Sequence, residues 1–195
     1  VELAINAMGA FQEENPDNSA AIPVQFHLAR LLRESGNPLA AAEYFHALVT
    51  SEAPSPELRY RAAYQRGWCF SDAGDHRSAR EAFSEAARMG QNDNQQAEAF
   101  LLAGDAAFQL EEHTKAALSY QAVADNFPNS PFAERARFRQ ASARFNAELY
   151  GNAAVVYKQF LEEFPNSDLR EQAWLERGIA LKRNGDVEAA IDILA

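Results

Sequence analysis

The sequence predicts an all-α fold, a solenoid of antiparallel helical hairpins repeating about every 37 residues, and three observations predict it. Small residues recur at Ala29, Gly67, Gly104, Ala141 and Gly178, with steps of 38, 37, 37 and 37. A second small column runs Ala4, Ala41, Ala79, Ala116, Ala153 and Ala190, with steps of 37, 38, 37, 37 and 37. Within each period the apolar residues recur at helical spacing, bounded in constant phase by helix-starting and turn-forming residues.

Taken in order, residues 1–17 read as the second half of a repeat, with Leu3, Ala4, Met8 and Phe11 followed by Asn15-Pro16. Complete repeats are expected at 18–54, 55–92, 93–129 and 130–166, and residues 167–195 open another that stops inside its second helix. The array is read as one continuous segment of a longer protein, because repeats contact only their neighbours and do not close into a globule. Eleven residues before the first small column stand Asn18, Asp93, Ser130 and Ser167, with Ser55-Pro56 one residue out of step; each is a candidate N-cap. In repeat 130–166, Ser130-Pro131 starts a first helix carrying Ala133, Ala136, Ala141 and Phe145, which runs to about residue 147. Leu149-Tyr150-Gly151-Asn152 is the expected break, and Ala153, Val156, Tyr157, Phe160 and Leu161 stripe a second helix ending at Phe164-Pro165.

The small columns have a packing meaning. Antiparallel helices approach closely only where a side chain is Gly or Ala, with bulky groups interlocking on either side. Glycine inside a helix costs about 1 kcal/mol relative to alanine, so Gly67, Gly104 and Gly178 imply contacts that outweigh propensity.

The formal charge is -10, and it is spread evenly: residues 1–97 hold 8 Lys or Arg against 13 acids, residues 98–195 hold 10 against 15. Nucleic-acid affinity needs a basic face that releases counterions, so DNA and RNA are excluded as expected partners. No apolar run is long enough to span a bilayer as a helix. The single cysteine, Cys69, cannot form an intrachain disulfide or a Cys-x-x-Cys metal site.

The phased columns resemble the tetratricopeptide repeat family, which has Trp and Gly on a first helix, Gly in the turn, Ala and an aromatic on a second helix, then Pro. Trp174, Leu175, Gly178, Leu181, Gly185, Ala190 and Leu194 all fall in place; Gly36 and Gly74 occupy the turn, Phe45, Phe83, Tyr120 and Tyr157 the aromatic column, and Pro16, Pro54, Pro128 and Pro165 the end. The resemblance implies a right-handed superhelix whose first helices line a concave groove that binds extended peptides or partner helices. The junctions FPNSP at 127–131 and FPNSD at 164–168 look like those of BamD-type lipoproteins and the Tol-Pal coordinator, which favours a periplasmic or outer-membrane-associated bacterial protein over a cytoplasmic one. The repeat is three residues longer than the family's usual period, which would lengthen the first helix by about one turn.

The resemblance places Phe26, Arg30 and Arg33, Tyr64, Trp68 and Ser71, Leu101, Asp105 and Phe108, Phe138, Ser142 and Phe145, and Leu175, Ile179 and Lys182 along that groove. Aromatic and arginine side chains carry most interface energy, so a protein or peptide partner is expected there, while the open repeat ends offer a route to self-association. The Lys and Asn of the carboxylate-clamping subclass are missing. Gln140 and Arg144 stand where the family packs apolar groups; Glu148, four residues on, is the nearest candidate partner of Arg144, and a bound acidic peptide is the alternative. His76 and His113 share the slot of Tyr150 and read as hairpin-packing residues, and His27 and His46 as surface or packing residues. No metal ligand set, cofactor fingerprint or catalytic constellation is expected, and Glu111-Glu112 and Glu162-Glu163 read as solvated helix ends. The expected function is a non-catalytic interaction scaffold. The alternatives are a structural spacer or self-association arm of a larger protein and the recruiting arm of an enzyme.

Overall fold

The computed structural model describes residues 2–15, 18 and 20–194. Pro16 and Ala195 lie outside the described residues, as do the side chains of Ala4 and Leu194. Eleven helices and no strand form among the described residues: α1 (Glu2–Glu14), α2 (Ala21–Glu34), α3 (Pro38–Thr50), α4 (Pro56–Asp72), α5 (His76–Met89), α6 (Asp93–Gln109), α7 (His113–Asn126), α8 (Ala133–Asn146), α9 (Tyr150–Glu163), α10 (Arg170–Asn184) and α11 (Val187–Leu194). Two compact units divide the chain at residues 99 and 100, inside α6. In the first unit, each of α1 to α5 packs against its neighbours in sequence, and the same holds for α7 to α11 in the second.

The hairpin turns repeat one device. A residue just past each first helix adopts positive φ: the second one at Gly36, Gly74, Glu111 and Glu148, with values of 84°, 75°, 58° and 60°, and the first one at Gly185, with 94°. The amide of the next residue then reaches back to a carbonyl five residues earlier, as in Asn37 N to Leu32 O (2.9 Å) and Leu149 N to Arg144 O (2.9 Å), closing a Schellman motif. Glycine adopts this conformation freely, whereas a side chain there costs about 1–2 kcal/mol. Glu111 is thus a strained turn residue and not just a solvated helix end. Glu148→Gly should raise stability by about 0.5–1 kcal/mol, the strain relieved less the greater freedom of glycine in the unfolded chain; urea titration of the variant checks this, and a lowered midpoint would count against it.

Helix starts depart from expectation. Ser55 caps α4 by accepting from Leu58 N at 3.2 Å, and Pro56 takes the first helical position. Asn18 and Ser167 instead accept from the amides two residues on, Ala20 N (2.9 Å) and Leu169 N (3.0 Å), forming short turns that delay α2 and α10 to Ala21 and Arg170. Asp93 lies inside α6, and the cap is Asn92, whose side chain accepts from Gln95 N at 3.0 Å. Residues 128–132 form turns, so α8 begins at Ala133 and Ser130 Oγ is buried without a partner. The extra turn therefore lengthens α4 and α6, at 17 residues each, but not α8 at 14. Tyr150 and Gly151 belong to α9, and the break falls at 147–149. At the repeat-two junction, which lacks proline, Gly90 leaves room for Gln96, whose amide donates to Gly90 O at 2.9 Å.

The small columns are buried: Ala29, Ala41, Ala79, Ala116, Ala141 and Ala153 are fully enclosed, Ala190 is 4% exposed, and Gly67, Gly104 and Gly178 are buried too. What Gly67 and Gly104 meet is the aromatic of the second helix sixteen residues on. A Cβ at Gly67 would lie 2.5 Å from the Phe83 ring, and one at Gly104 would lie 2.6 Å from Tyr120. Phe45, Phe83, Tyr120 and Tyr157 are at most 2% exposed, and burial of each such side chain contributes about 1.5–3 kcal/mol. Where the aromatic is tyrosine, the residue after the small column accepts or shares its hydroxyl hydrogen bond: Tyr120 donates to Asp105 Oδ1 at 2.7 Å, and Tyr157 lies 3.1 Å from Ser142 Oγ. Where it is Phe83, that position holds Trp68, edge-on at 5.6 Å.

Candidate functional site

The first helices of each unit frame a cleft, and the two clefts occupy equivalent places. In the first unit, α2 contributes Phe26, Arg30, Arg33 and Glu34, and α4 contributes Arg61, Gln65 and Asp72, around about 420 Å³. In the second, Asp105, Phe108 and Gln109 of α6, Tyr120 of α7 and Arg139 and Ser142 of α8 surround about 350 Å³. Counting from the small columns, α2 relates to α4 as α6 relates to α8.

Arginine dominates the α2–α4 cleft. Arg30 pairs with Glu34 at 3.3 Å, both exposed. Arg33 donates from Nε to Asp72 at 2.6 Å and from Nη1 to Gln65 Oε1 at 3.0 Å, with its guanidinium 5.8 Å from the Trp68 ring centroid. Arg61 lies over Phe26, 4.9 Å from its centroid. Such stacking satisfies the face of a guanidinium and leaves its in-plane donors for a partner.

In the α6–α8 cleft, one carboxylate collects three donors. Asp105 accepts from Tyr120 Oη at 2.7 Å, from Arg139 Nη1, and from Arg135 Nη2 at 3.4 Å. Burial, with the Asp105 charge beside it, raises the Tyr120 hydroxyl well above the ordinary tyrosine value. Tyr120 stays neutral and serves as a donor.

Most of the aromatic residues expected on the groove surface turn out to be packing groups. Phe26, 4% exposed, meets Phe45 edge-on at 5.3 Å and shows the cleft only its rim. Phe138 lies against Tyr157 and Phe160 at 5.7 and 5.5 Å, Phe145 against Tyr150 at 5.2 Å, and Phe108 against His113 at 4.9 Å. Leu101 is 2% exposed and belongs to the core. Tyr64 is half-buried, donates to Glu98 at 2.8 Å and is pushed up to about 12, chiefly by burial. Lys182 is exposed in the last turn of α10 and lines neither cleft. Each cleft thus gathers only part of the expected set: Phe26, Arg30 and Arg33 in one, Asp105, Phe108 and Ser142 in the other. Sequence reading missed Arg61, Gln65 and Arg139, which lie off the apolar stripe. The available signal was Arg61 and Arg135, each six residues before its small-column residue.

His46 Nδ1 lies 3.2 Å from Arg66 Nη1, and burial pushes the Cys69 thiol up to about 11, so it is no nucleophile at neutral pH. Among the described residues, no group of three or more His, Cys, Asp or Glu is placed to hold a metal ion, and no helix is long and apolar enough to cross a membrane.

The tetratricopeptide repeat family model matches residues 26–94, 64–131, 101–168 and 138–195 in overlapping pairs of hairpins. The chain belongs to the tetratricopeptide repeat family. Solved structures agree on the fold. YrrB, described as a tetratricopeptide repeat protein with an unusual peptide-binding site, superposes with a TM-score of 0.64 at 19% identity, covering 97% of this chain and 90% of its own. A putative kinesin light chain with tetratricopeptide-like repeats from Podosopora anserina gives 0.62 at 15% identity, covering 91% and 93%. MamA from Desulfovibrio magneticus RS-1 gives 0.61 at 17% identity, covering 89% and 90%. No curated protein matches the sequence. Tetratricopeptide repeats are generally non-catalytic scaffolds for protein interaction, and the hairpins, small columns and aromatic column described above are that repeat.

Proposed function

We propose that this tetratricopeptide repeat array is a non-catalytic scaffold that holds an extended protein segment against its first helices. The observation that carries this reading is the pair of equivalent clefts, each framed by successive first helices and lined by polar and charged side chains beside an aromatic one. The reported peptide-binding site of YrrB supports the reading by analogy of fold. The FPNSP and FPNSD junctions favour bacterial cell-envelope assembly as the setting. A random peptide library displayed on phage should yield enriched sequences, and these should cross-link to a benzophenone installed at Gln65 or Gln109 but not at Leu118, which is 61% exposed on a second helix. Cross-linking confined to Leu118, or no enriched peptide, would overturn the proposal.

The reading as an enzyme's recruiting arm gains no support from the clefts.

A further inference from the structure

We propose that the α2–α4 cleft recognises a carboxylate side chain, Asp or Glu, within the partner segment, and that Arg61 is its principal contact. The inference rests on the scaffold reading and names what this cleft selects.

The two clefts supply an internal comparison. Arg61 stands six residues before Gly67, and Arg135 stands six residues before Ala141; Arg30 follows Ala29, and Asp105 follows Gly104. The α6–α8 cleft therefore places a carboxylate, Asp105, within 3.4 Å of the guanidinium at the Arg61 position. The α2–α4 cleft puts a second cation, Arg30, where that carboxylate would be. Of its three guanidiniums, Arg30 is neutralised by Glu34 and Arg33 by Asp72, while Arg61 has no ion pair among the described residues. Its face rests on Phe26 and its edge donors remain available, the geometry in which arginine takes a carboxylate through two parallel hydrogen bonds. Arg33 holds Gln65 by its carbonyl oxygen, leaving the Gln65 amide NH2 as a further donor lining the cleft. A cleft with surplus positive charge in a chain of net charge -10 is complementary to an acidic residue and poorly suited to a basic one. The in-chain ion pair of one cleft thus marks where the other needs its acid from outside.

The test is a positional-scanning library of acetylated, amidated nonapeptides, captured by the intact chain and read for the residue enriched at each position. Wild type should enrich Glu or Asp over Gln or Asn at one position by about tenfold, the ratio one charge-assisted contact sustains. Arg61→Gln should abolish that preference, while Arg135→Gln, whose guanidinium is already engaged by Asp105, should leave it unchanged. Arg30→Asp should also abolish it, because the new carboxylate would satisfy Arg61 within the chain as Asp105 does Arg135; circular dichroism melts confirm that these exposed substitutions leave the fold intact. Apolar enrichment without an acidic preference would overturn the carboxylate inference and leave the scaffold reading standing. Acidic preference retained in Arg61→Gln would overturn it too, and no enrichment at any position would overturn both.

Discussion

Gly104→Leu should lower the chemical-denaturation midpoint by an amount corresponding to about 1–3 kcal/mol, the cost of forcing extra carbons into a filled core. The expected effect is large because the obstructing group cannot step aside. Even a Cβ would lie 2.6 Å from Tyr120 Cε1, and the Tyr120 ring is held at its far end by the hydrogen bond to Asp105, itself fixed by Arg139 and Arg135. Moving the ring would break a part-buried polar network, so the overpacking and hydrogen-bond penalties arrive together. Gly67 faces Phe83 at 2.5 Å, but that ring carries no hydroxyl anchor, so Gly67→Leu should cost less than Gly104→Leu. A double-mutant cycle with Tyr120→Leu separates the two contributions: if ring contact is the cause, the second substitution recovers part of the lost stability. Because neighbouring repeats unfold semi-independently, hydrogen exchange of α6 and α7 should rise before that of α10. An unchanged midpoint in Gly104→Leu would remove the close-approach account of the small columns.

The frame of the fold was legible because it rests on local, repeated chemistry. Small residues permitting close approach, an aromatic sixteen residues later and a turn glycine each act within one hairpin, and a period of 37 multiplies a weak signal into a strong one. What escaped reading depends on partners brought together only by packing. Helical spacing points Arg144 to Glu148, but its Nη2 donates to Gln121 Oε1 at 3.0 Å, 23 residues away on α7. Gln140 was recognised as out of place, yet the group that satisfies it, Arg137, was not, since nothing in the local pattern marks a charged residue that will be 7% exposed. The helix starts failed differently: Asn18, Ser130 and Ser167 have the chemistry of caps, and the chain used two of them for turns that delay the helix. The groove was overread because an aromatic on a first helix serves the hairpin core as readily as a surface, and Phe26 and Phe138 show the core prevailing.

Removing both acids around Arg137, in Asp125→Asn with Glu163→Gln, should destabilise the second unit by about 3 kcal/mol, the cost of stranding a buried charge. Arg137 Nη2 lies 2.8 Å from Asp125 Oδ1, Nε donates to Glu163 Oε2 at 2.9 Å, and Nη1 donates to Gln140 Oε1 at 3.0 Å. The two acids stand in the final turns of α7 and α9, where the negative end of each helix dipole disfavours them; the guanidinium between them offsets both effects and ties three helices together. The position itself does not require charge, because the counterpart of Arg137 is Gln25, Ala63, Phe100 and Trp174 in the other repeats. Adding Arg137→Met to the double variant should therefore restore much of the lost stability, since an apolar side chain of similar length fills the space without needing a partner. Arg137→Met alone should be milder than the acid double variant: it leaves two half-exposed carboxylates that water can solvate and one buried amide oxygen without its donor. If the triple variant proved no more stable than the acid double variant, the loss would lie in the helix ends and not in the buried guanidinium.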